Sequence, residues 1–423
     1  MSAAPTPRPA TDTELISTLV ELGREVSSVL DLDQLLAKIP SLIARLTAFT
    51  AFGVYLLDEP TQTLTVPYSI GYPSHIRQEL RVGQGVVGAA VSQGAPILVG
   101  DVDADPRYAG LVPGMHSQLA VPLRRKGRVI GALNLLSDRR EAFTVLDETL
   151  LRQFAAHVAV AIENARLYDA LRRNELRMER ELRIARRVQM ALQPGRFLNA
   201  PAGVSVAGRF ESALELGGDL HDFRSPMPDT LLVAIGDVSG KGVPAALYSA
   251  FTKELIRSRT VHGHYRPEGF SVAAALEWMN RQLHERQLAE FYCTLCYAQF
   301  DMHARTVTFA NSGLPYPLRW SDGRVTPVTI PGVPLGAFDG TTYDQVVFPI
   351  ASGDVYVFCT DGVFEALNPQ GEEFGVRRTA TVMEATAGQD AEAIVAAIFT
   401  AVREFTAGAP LPDDMTAVAV RIA

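Results

Sequence analysis

Apolar residues recur at regular spacings along the first part of the chain. Over residues 13–46, leucine, valine and isoleucine return every three or four positions, which predicts helix. Apolar runs at 51–57 and 64–68 predict strands, and "SQLAVPLRRKGRVIGALNLLS" predicts a hairpin that turns at Lys126-Gly127. A glycine-punctuated turn, a short helix and a strand are predicted before that hairpin. Together with a long helix after it, this order indicates an antiparallel sheet flanked by helices.

The long helix begins at Thr144 or Asp147 and continues past residue 168 into an arginine-rich segment. Within it, a three-and-four spacing marks a candidate coiled-coil seam, which favours a parallel homodimer. The seam positions are Tyr168, Leu171, Glu175, Met178, Leu182, Ala185, Gln189 and Leu192. The remaining arginines and glutamates indicate a solvated helix face rather than a nucleic-acid surface, and Pro194-Gly195 ends the helix.

After Pro194 the pattern becomes rich in strands. Strands are predicted in "GVSVAGRF", "TLLVAIGDV", "YCTLCYAQFD", "TVTFANSG", "DVYVFCTDG" and "MTAVAVRI". Helices are predicted in "PAALYSAFTKELIRS", "SVAAALEWMNRQLHER" and "AEAIVAAIFTAVREFT". Strand runs with helices grouped between them predict a layered α+β fold.

Length and composition narrow the class. The chain has 423 residues, of which 47% are apolar, so two domains with real cores are expected. A net charge of -8 argues against nucleic-acid binding by bulk charge, and three cysteines point to a reducing compartment. The first residues lack the apolar segment of a secretory signal and are predicted to be a disordered tail, and no apolar run is long enough to cross a membrane. A cytoplasmic location is therefore predicted.

The stretch "GDVSGKGVPAAL" poses a choice between a phosphate loop, a metal site and a simple turn. A P-loop needs four residues between its two glycines, whereas Gly236 and Gly240 have three between them. Asp237 would also repel the phosphates. A nucleotide site is therefore rejected. Lys241 is interpreted as a solvated loop residue, with contact to a substrate phosphate as the alternative.

Acidic residues recur where predicted strands begin or end. Asp237 and Asp361 each follow an apolar strand, Asp413 and Asp414 open the last one, and Asp219 lies in "ELGGDLHD". Carboxylates at strand ends converge on one edge of a sheet, and hard cations such as Mg²⁺ and Mn²⁺ prefer oxygen ligands and several waters. One Asp-Gly pair alone is best explained as a turn. Four motifs in this order instead predict a site for two metal ions that activate water.

Two other motifs are rejected. "DVDADPRY" imitates the start of an EF-hand, but Pro106 stands where glycine is needed and Val112 where glutamate is needed, so a loop is predicted. Cys293 and Cys296 form C-x-x-C inside an alternating strand, so their side chains point to opposite faces and core packing is predicted.

The N-terminal motifs resemble a GAF domain. "GQGVVGAAVSQGAPILVGDVDADPRY", "LAVPLRRKGRVIGALNLLS" and the closing helix carry the resemblance, which covers residues 12–168. It implies a small sensory or dimerising module with a ligand pocket, whose ligand or partner stays unknown.

Residues 180–423 resemble the PPM-type, metal-dependent protein Ser/Thr phosphatases in their SpoIIE-like branch. The motifs are "ERELRIARRVQMALQP", "ELGGDLHDF", "GDVSGKGVPAAL", "FYCTLCYAQFD", "FANSGLPYPL", "TDGVFEALNPQGEEFG" and "DDMTAVAVRI". The resemblance implies an αββα sandwich and two Mn²⁺ or Mg²⁺ ions. It assigns Asp237 as the carboxylate shared by both metals, Val238 as a carbonyl ligand, and Asp361 and Asp413 as ligands to one metal. Asp219 would bind through water.

Further assignments follow from the same resemblance. Asp414 and Asp222 are taken as supports of the ligands. The helix start next to Asp237 is taken as the element that regulation moves, and its residues are Gly242, Pro244, Ala245 and Leu247. The family's aromatic pair is replaced by Leu220-His221, and its Gly-His by Gly313-Leu314. These departures place substrate contacts in question rather than the metal ligands.

The implied enzyme is a sensor-regulated phosphatase that acts on a phosphorylated regulatory protein, such as an anti-sigma-factor antagonist. The expected organisation is a tail (1–11), a GAF domain (12–168), a helical coiled-coil linker (169–194) and a phosphatase domain (195–423). A pseudophosphatase scaffold and a metal phosphoesterase with another substrate remain as alternatives. Neither nucleic acid nor a membrane is expected as a partner.

Overall fold

The structure is a computed structural model, and it describes residues 12–73, 79–108, 110, 112–194, 199–260, 270–288 and 290–423. The chain divides into two compact units, with the boundary between Arg177 and Met178. That boundary falls inside the predicted linker. The predicted tail lies outside the described residues, and the four predicted domain limits stay predictions. No helix in the described ranges combines the length and the apolar character needed to cross a bilayer.

The N-terminal unit is built on an antiparallel sheet with the strand order β3-β2-β1-β6-β5-β4. Its strands are β1 (Ala51–Asp58), β2 (Thr63–Ile70), β3 (Leu80–Arg81), β4 (Ile97–Val99), β5 (Ser117–Arg125) and β6 (Arg128–Ser137). Its helices are α1 (Asp12–Ser27), α2 (Leu32–Ile43), α3 (Gly85–Gln93) and the start of α4 (Val145–Leu192), with a short 3-10 helix at Val102–Ala104.

The two faces of this sheet are covered differently. Buried residues of α1, α2 and α4 pack with β1, β5 and β6 into one core, in which Phe52 and Phe154 are fully buried. On the other face, α3 packs against a second set of strand residues that includes Tyr55 and Ala132. The predicted antiparallel sheet flanked by helices is confirmed. The single helical run over 13–46 breaks into two helices because the Asp31 side chain caps α2 through the Gln34 N–H.

The C-terminal unit contains the rest of the secondary structure. Its strands are β7 (Val204–Glu211), β8 (Leu220–Met227), β9 (Thr230–Val238), β10 (Cys293–Asp301), β11 (Thr306–Asn311), β12 (Leu318–Ser321), β13 (Arg324–Pro327), β14 (Gln345–Pro349), β15 (Val355–Cys359) and β16 (Met415–Ile422). Its helices are α5 (Val243–Ser258), α6 (Val272–His284), α7 (Asp361–Phe364), α8 (Gly375–Thr386) and α9 (Ala391–Phe405).

Two antiparallel sheets pack face to face in this unit. One has the order β14-β11-β10-β9-β8 and the other β13-β12-β15-β16-β7. An inter-sheet core joins them, with Ile235 and Phe309 from the first sheet and Phe358 and Val418 from the second. Helices α5 and α6 cover the outer face of the first sheet, and α8 and α9 cover that of the second. The predicted αββα sandwich is confirmed.

Strand β8 was not predicted. Its sequence "LHDFRSPM" places His221, Asp222 and Arg224 in a strand, and polar residues hide the alternation that marks a strand. The strand pairs with β9 in a register that sets Leu220 opposite Gly236. It therefore begins beside the place where β9 ends, and this register fixes where Asp219 lies.

Candidate metal centre

The predicted acidic residues come together at one end of the sandwich. Asp219 directly precedes β8, and Asp237 is the penultimate residue of β9. Asp361 is the first residue of α7, just after β15, and Asp413 shortly precedes β16. Strands β8 and β9 belong to one sheet, whereas β15 and β16 belong to the other. The acids thus meet across two sheets, not along the edge of a single sheet as the sequence pattern predicts.

Asp219 links the two sheets through hydrogen bonds. Its Oδ2 accepts from Thr360 Oγ1 at 2.8 Å and from Thr416 Oγ1 at 2.7 Å. Its other oxygen, Oδ1, is buried and has no hydrogen-bond partner among the described residues. Because a buried unpaired carboxylate oxygen is costly, this atom marks a position that suits a cation or a proton.

Burial and mutual repulsion act on Asp219, Asp237 and Asp361. Burial raises the pKa of Asp219 well above its ordinary value, and the charge of Asp237 adds to the effect. Burial likewise raises the pKa of Asp237 to about 7, with Asp361 as the next cause. The pKa of Asp361 is raised by burial and then by Asp413. Carboxylates that repel one another in this way gain a large stabilisation from a bound cation.

Glycine keeps the approach to Asp237 and Val238 open. A Cβ atom at Gly218 would lie 2.7 Å from the Val238 carbonyl oxygen and 3.5 Å from Asp237 Oδ1. A side chain at this position would fill the space in front of both oxygens. The Val238 carbonyl and the Asp237 carboxylate therefore face the same small opening beside Gly218.

The adjacent residues Asp413 and Asp414 do different things. Asp413 is 43% exposed, and its Oδ2 lies 3.0 Å from Lys241 Nζ. Asp414 is buried and accepts hydrogen bonds from the backbone N–H groups of Ala213 and Gly218, at 2.8 and 2.6 Å. Asp414 thus holds the loop that carries Asp219, which agrees with a supporting role. Lys241 is an exposed loop residue, as predicted, and it also pairs with Asp413.

The donor set fits hard divalent ions. It consists of carboxylates and one backbone carbonyl, and it contains an unpaired buried oxygen. No group of three or more His, Cys, Asp or Glu side chains in the described ranges is arranged to enclose one ion. Ions that keep most of their waters need only one or two protein carboxylates each, so the site suits hydrated Mn²⁺ or Mg²⁺. To bind an ion as a ligand, Asp413 must first break its ion pair with Lys241.

Comparison with known proteins agrees with this geometry. The family model "Stage II sporulation protein E (SpoIIE)" matches residues 227–423, and the model "GAF domain" matches residues 29–163. The chain is 26% identical over 238 residues to the phosphoserine phosphatase RsbU of Bacillus subtilis, covering 55% of this chain and 68% of that protein. It is 30% identical over 118 residues to GAF domain-containing protein A of Dictyostelium discoideum, covering 28% of this chain and 73% of that protein.

The chain combines a GAF domain with a SpoIIE-type phosphatase domain. Its enzyme class is that of the metal-dependent protein phosphatases. Among solved structures, the SiaA-PP2C domain of Pseudomonas aeruginosa matches with a TM-score of 0.52 and 23% identity, covering 59% of this chain and 99% of that domain. That likeness supports the sandwich fold of the phosphatase unit.

Several residues that the family resemblance singles out lie away from the acidic group formed by Asp219, Asp237, Asp361 and Asp413. Asp222 pairs with Arg257 at 3.0 Å and with Arg224 at 3.3 Å, so its recorded contacts are with arginines rather than with the ligand carboxylates. His221 is buried in the sandwich beside Phe223, and burial lowers its pKa to about 3. The recorded ring contact of His221 is thus with a core residue rather than with the carboxylates.

The other departures from the family pattern are also buried. Leu220 packs under α5 and α6, and Leu314 packs in the inter-sheet core. Asn311 holds the Leu314 backbone by accepting from its N–H at 3.1 Å and donating to its carbonyl at 2.8 Å. These side chains point into cores, so they serve packing.

The three cysteines of the phosphatase are buried. Burial raises the pKa of each thiol above its ordinary value. A catalytic cysteine needs an accessible thiolate. The structure therefore agrees with the prediction that these cysteines are core residues, and a cysteine nucleophile is ruled out at these positions.

The predicted regulatory helix α5 begins beside the metal centre. Its N-cap is Gly242, at φ 77°, and Pro244 lies in its first turn. Ala245 is fully buried and would contact a Cβ atom at Gly218, and Ser249 Oγ donates to the Asp219 carbonyl at 3.3 Å. Leu247, by contrast, is 67% exposed.

The far half of α5 is tied to the end of α4. Lys253 Nζ donates to Gln193 Oε1 at 3.1 Å, and Arg257 Nη2 donates to the Leu192 carbonyl at 3.2 Å. Closer to the metal centre, Gln189 Nε2 donates to the Gly217 carbonyl at 2.6 Å. The last turns of α4 thus contact both α5 and the loop that precedes Asp219.

A groove of about 530 Å³ opens beside Asp237 and Asp361. Its described lining consists of Asp237, Ser239, Tyr292, Thr294, Asn311, Gly313, Leu314, Pro315, Tyr316, Ile330, Pro331, Gly332, Asp361 and Glu365. Tyr292 and Tyr316 are each about two-fifths exposed. This aromatic and proline-rich wall was not predicted, because its residues come from loops that show no periodic pattern.

The GAF domain contains a separate, small cavity of about 30 Å³. A chain of hydrogen bonds crosses it. Gln118 Nε2 donates to Asn134 Oδ1, and Asn134 Nδ2 donates to the Tyr72 hydroxyl, both at 2.7 Å. The Tyr72 and Tyr55 hydroxyls are 3.3 Å apart. Gln118 Oε1 is buried and unpaired within the described structure, so the pocket presents a free acceptor.

Proposed function

We propose that this chain hydrolyses phosphoserine or phosphothreonine on a regulatory protein, through water activated by two divalent ions, under the control of its GAF domain. The observation that carries the proposal is the buried, unpaired Asp219 oxygen within the acidic group, next to an open groove. Asp237, Asp361, Asp413 and the Val238 carbonyl would hold the ions directly, and Asp219 would act through water.

The chemistry divides between the ions and the chain. Divalent ions in such a site supply Lewis acidity, which acidifies water and offsets negative charge on the phosphoryl group. Asp219 supplies an acceptor at Oδ1, held in place by Thr360 and Thr416. The groove positions the phosphorylated segment against Asp237 and Asp361. With the cysteines buried, attack by water agrees with the residues present.

The groove favours a protein as substrate over a small phosphate ester. A phosphate ester needs only the acidic end of the site, whereas Tyr292, Tyr316 and Pro331 extend an apolar wall beyond it. Exposed aromatic side chains beside a polar site are typical of protein-binding surfaces. Together with the identity to a phosphoserine phosphatase, this supports a phosphoprotein such as an anti-sigma-factor antagonist.

Replacement of Tyr316 by Ala tests this choice of substrate. We expect kcat/KM for a phosphoprotein to fall about tenfold, and turnover of p-nitrophenyl phosphate to change by less than about twofold, because only the larger substrate reaches the wall. Phe338→Ala is the matched control, since Phe338 is an exposed aromatic residue outside the groove. Equal losses on both substrates would contradict a docking role for the wall.

A panel of phosphoproteins with Mn²⁺ separates the proposal from its alternatives. Release of phosphate from a phosphorylated anti-sigma-factor antagonist is the expected result. Turnover of small esters without any phosphoprotein would favour a different metal phosphoesterase. Binding of a phosphoprotein without turnover, unchanged by Asp237→Asn, would favour the pseudophosphatase scaffold.

The linker helix is the proposed route of control. Part of the predicted coiled-coil seam already packs against residues of the same chain. Leu182, Ala185 and Gln189 are half-buried, and the Gln189 side chain forms hydrogen bonds with the Gly217 backbone. Other apolar residues of α4 are exposed, among them the seam residues Leu171 and Met178 and, outside the seam, Ile184 and Val188. Pairing of these positions with a second copy would cover them, and movement of the helix would reach α5 through Gln193 and Leu192.

Replacement of Met178 by Pro tests this route. Proline in a helix interior costs about 3 kcal/mol and breaks the hydrogen-bond ladder. We expect a dimeric parent, a monomeric variant by light scattering, and a change of at least about fivefold in phosphoprotein turnover. Met178→Ala removes the same side chain and keeps the helix, so it serves as the control. A monomeric Pro variant with parent turnover and parent regulation would contradict the proposal.

A further inference from the structure

Lys241 contacts the last ligand segment at two points. Its Nζ lies 3.0 Å from Asp413 Oδ2, and it donates to the Pro412 carbonyl at 2.7 Å. Among the ion pairs of the described residues, this is the one that involves a predicted metal ligand. The charge of Lys241 also reaches Asp361, whose pKa it lowers against the larger effect of burial. An ammonium group therefore holds a carboxylate that the ions need.

Two glycines in the left-handed region flank Lys241. Gly240 and Gly242 flank it at φ 89° and 77°, a region that favours glycine. A Cβ atom at Gly242 would meet nothing within 4 Å, so the loop is not packed into the core here. The Gly242 carbonyl accepts the Ala246 N–H at 3.0 Å in the first turn of α5. Displacement of Lys241 would therefore act directly on the start of that helix.

We propose that Lys241 is a tethered cation that competes with the second divalent ion for Asp413, and that its release upon ion binding loosens the start of α5. This inference rests on the proposed metal-dependent function. In the absence of the ion, the ammonium group offsets part of the repulsion between Asp413 and Asp361. When the ion binds, Asp413 turns from Lys241 to the ion, and the loop between Gly240 and Gly242 loses its anchor at Asp413.

Mn²⁺ titration of the full chain tests the competition without any turnover. Free Mn²⁺ is measured by electron paramagnetic resonance for the parent and for Lys241→Met, Lys241→Arg and Lys126→Met. Removal of the competing charge is expected to tighten the weaker Mn²⁺ site about tenfold. Arginine keeps the charge, and Lys126 is an exposed lysine of the GAF hairpin, so both are expected to stay within about twofold of the parent.

Hydrogen exchange of the backbone amides over 239–247 tests the release. Mn²⁺ is expected to speed exchange there in the parent and to leave it unchanged in Lys241→Met. The inference is overturned if Lys241→Met binds Mn²⁺ no more tightly than the parent, or if Mn²⁺ changes exchange equally in both. A parent that binds Mn²⁺ with no Lys241 effect would overturn this inference alone, whereas a parent that binds no divalent ion would overturn the proposed function as well.

Discussion

Replacement of Asp237 by Asn is expected to lower phosphatase activity at least about a thousandfold, because the variant loses the carboxylate predicted to contact both ions. Charge stabilisation by such ions is worth several kcal/mol, and each 1.4 kcal/mol is about tenfold in rate. The measurement is phosphate release from a phosphoprotein with saturating Mn²⁺. Asp229→Asn makes the same chemical change at an exposed turn between β8 and β9, and it is expected to keep parent activity.

The same substitution is expected to stabilise the metal-free fold, although it lowers the activity. Burial and neighbouring carboxylates raise the pKa of Asp237 to about 7, so its ionised form is disfavoured in the folded state. The neutral amide removes that repulsion, and the melting temperature in EDTA is expected to rise by several degrees. Addition of Mn²⁺ then stabilises the variant much less than the parent. Activity above about a tenth of the parent level, or an unaltered response to Mn²⁺, would contradict the assignment of Asp237.

Metal-free protein is expected to lose stability as the pH rises from about 4 to about 7. The pKa of Asp237 is about 7 when folded and near 3.8 when unfolded, and that of Asp219 is raised in the same direction. Between those values the folded state binds more protons than the unfolded state, so the free energy of unfolding falls with increasing pH. Urea unfolding in EDTA at several pH values measures this slope.

Divalent ions are expected to reverse this dependence of stability on pH. They bind the ionised carboxylates of the folded state, so Mn²⁺ is expected to stabilise the protein far more at pH 8 than at pH 5.5, with release of protons on binding. Asp237→Asn is the matched control, because it removes one of the titrating groups and should flatten the slope in EDTA. A free energy of unfolding in EDTA that stays constant or rises over this pH range would show that the clustered carboxylates do not repel one another in the folded protein.

The fold was largely predictable because its apolar spacings are regular. Strands β9 and β16 are mainly apolar, β10 mixes apolar and polar positions, and α6 and α9 have clear helical spacing, so sequence alone located them. Strand β8 was missed because its polar residues find buried partners that only tertiary structure supplies, such as Arg257 for Asp222. The short strands β12 to β14 are half-exposed, and their pattern is too weak to separate from loops.

The acidic residues of the candidate site were predictable from the sequence, but the residues around them were not. Asp219, Asp237, Asp361 and Asp413 stand next to strand ends and glycines, and that signal is local. Thr360 and Thr416 lie at the matching strand ends, directly before Asp361 and two residues after Asp414, but each looks like an ordinary strand residue. Their role depends on Asp219 in the opposite sheet. The groove wall likewise depends on loops that meet only in the folded chain.

The partners of Asp219 have a consequence for synthesis of the protein on the ribosome. Thr360 and Thr416 follow Asp219 by 141 and 197 residues, and Asp414 follows Gly218 by 196. Contacts at such separations form late in folding. The complete acidic group of the phosphatase domain can therefore form only after β16 has been translated and has left the exit tunnel. A nascent chain whose GAF domain is already complete therefore still lacks the hydrogen bonds that hold Asp219 in place.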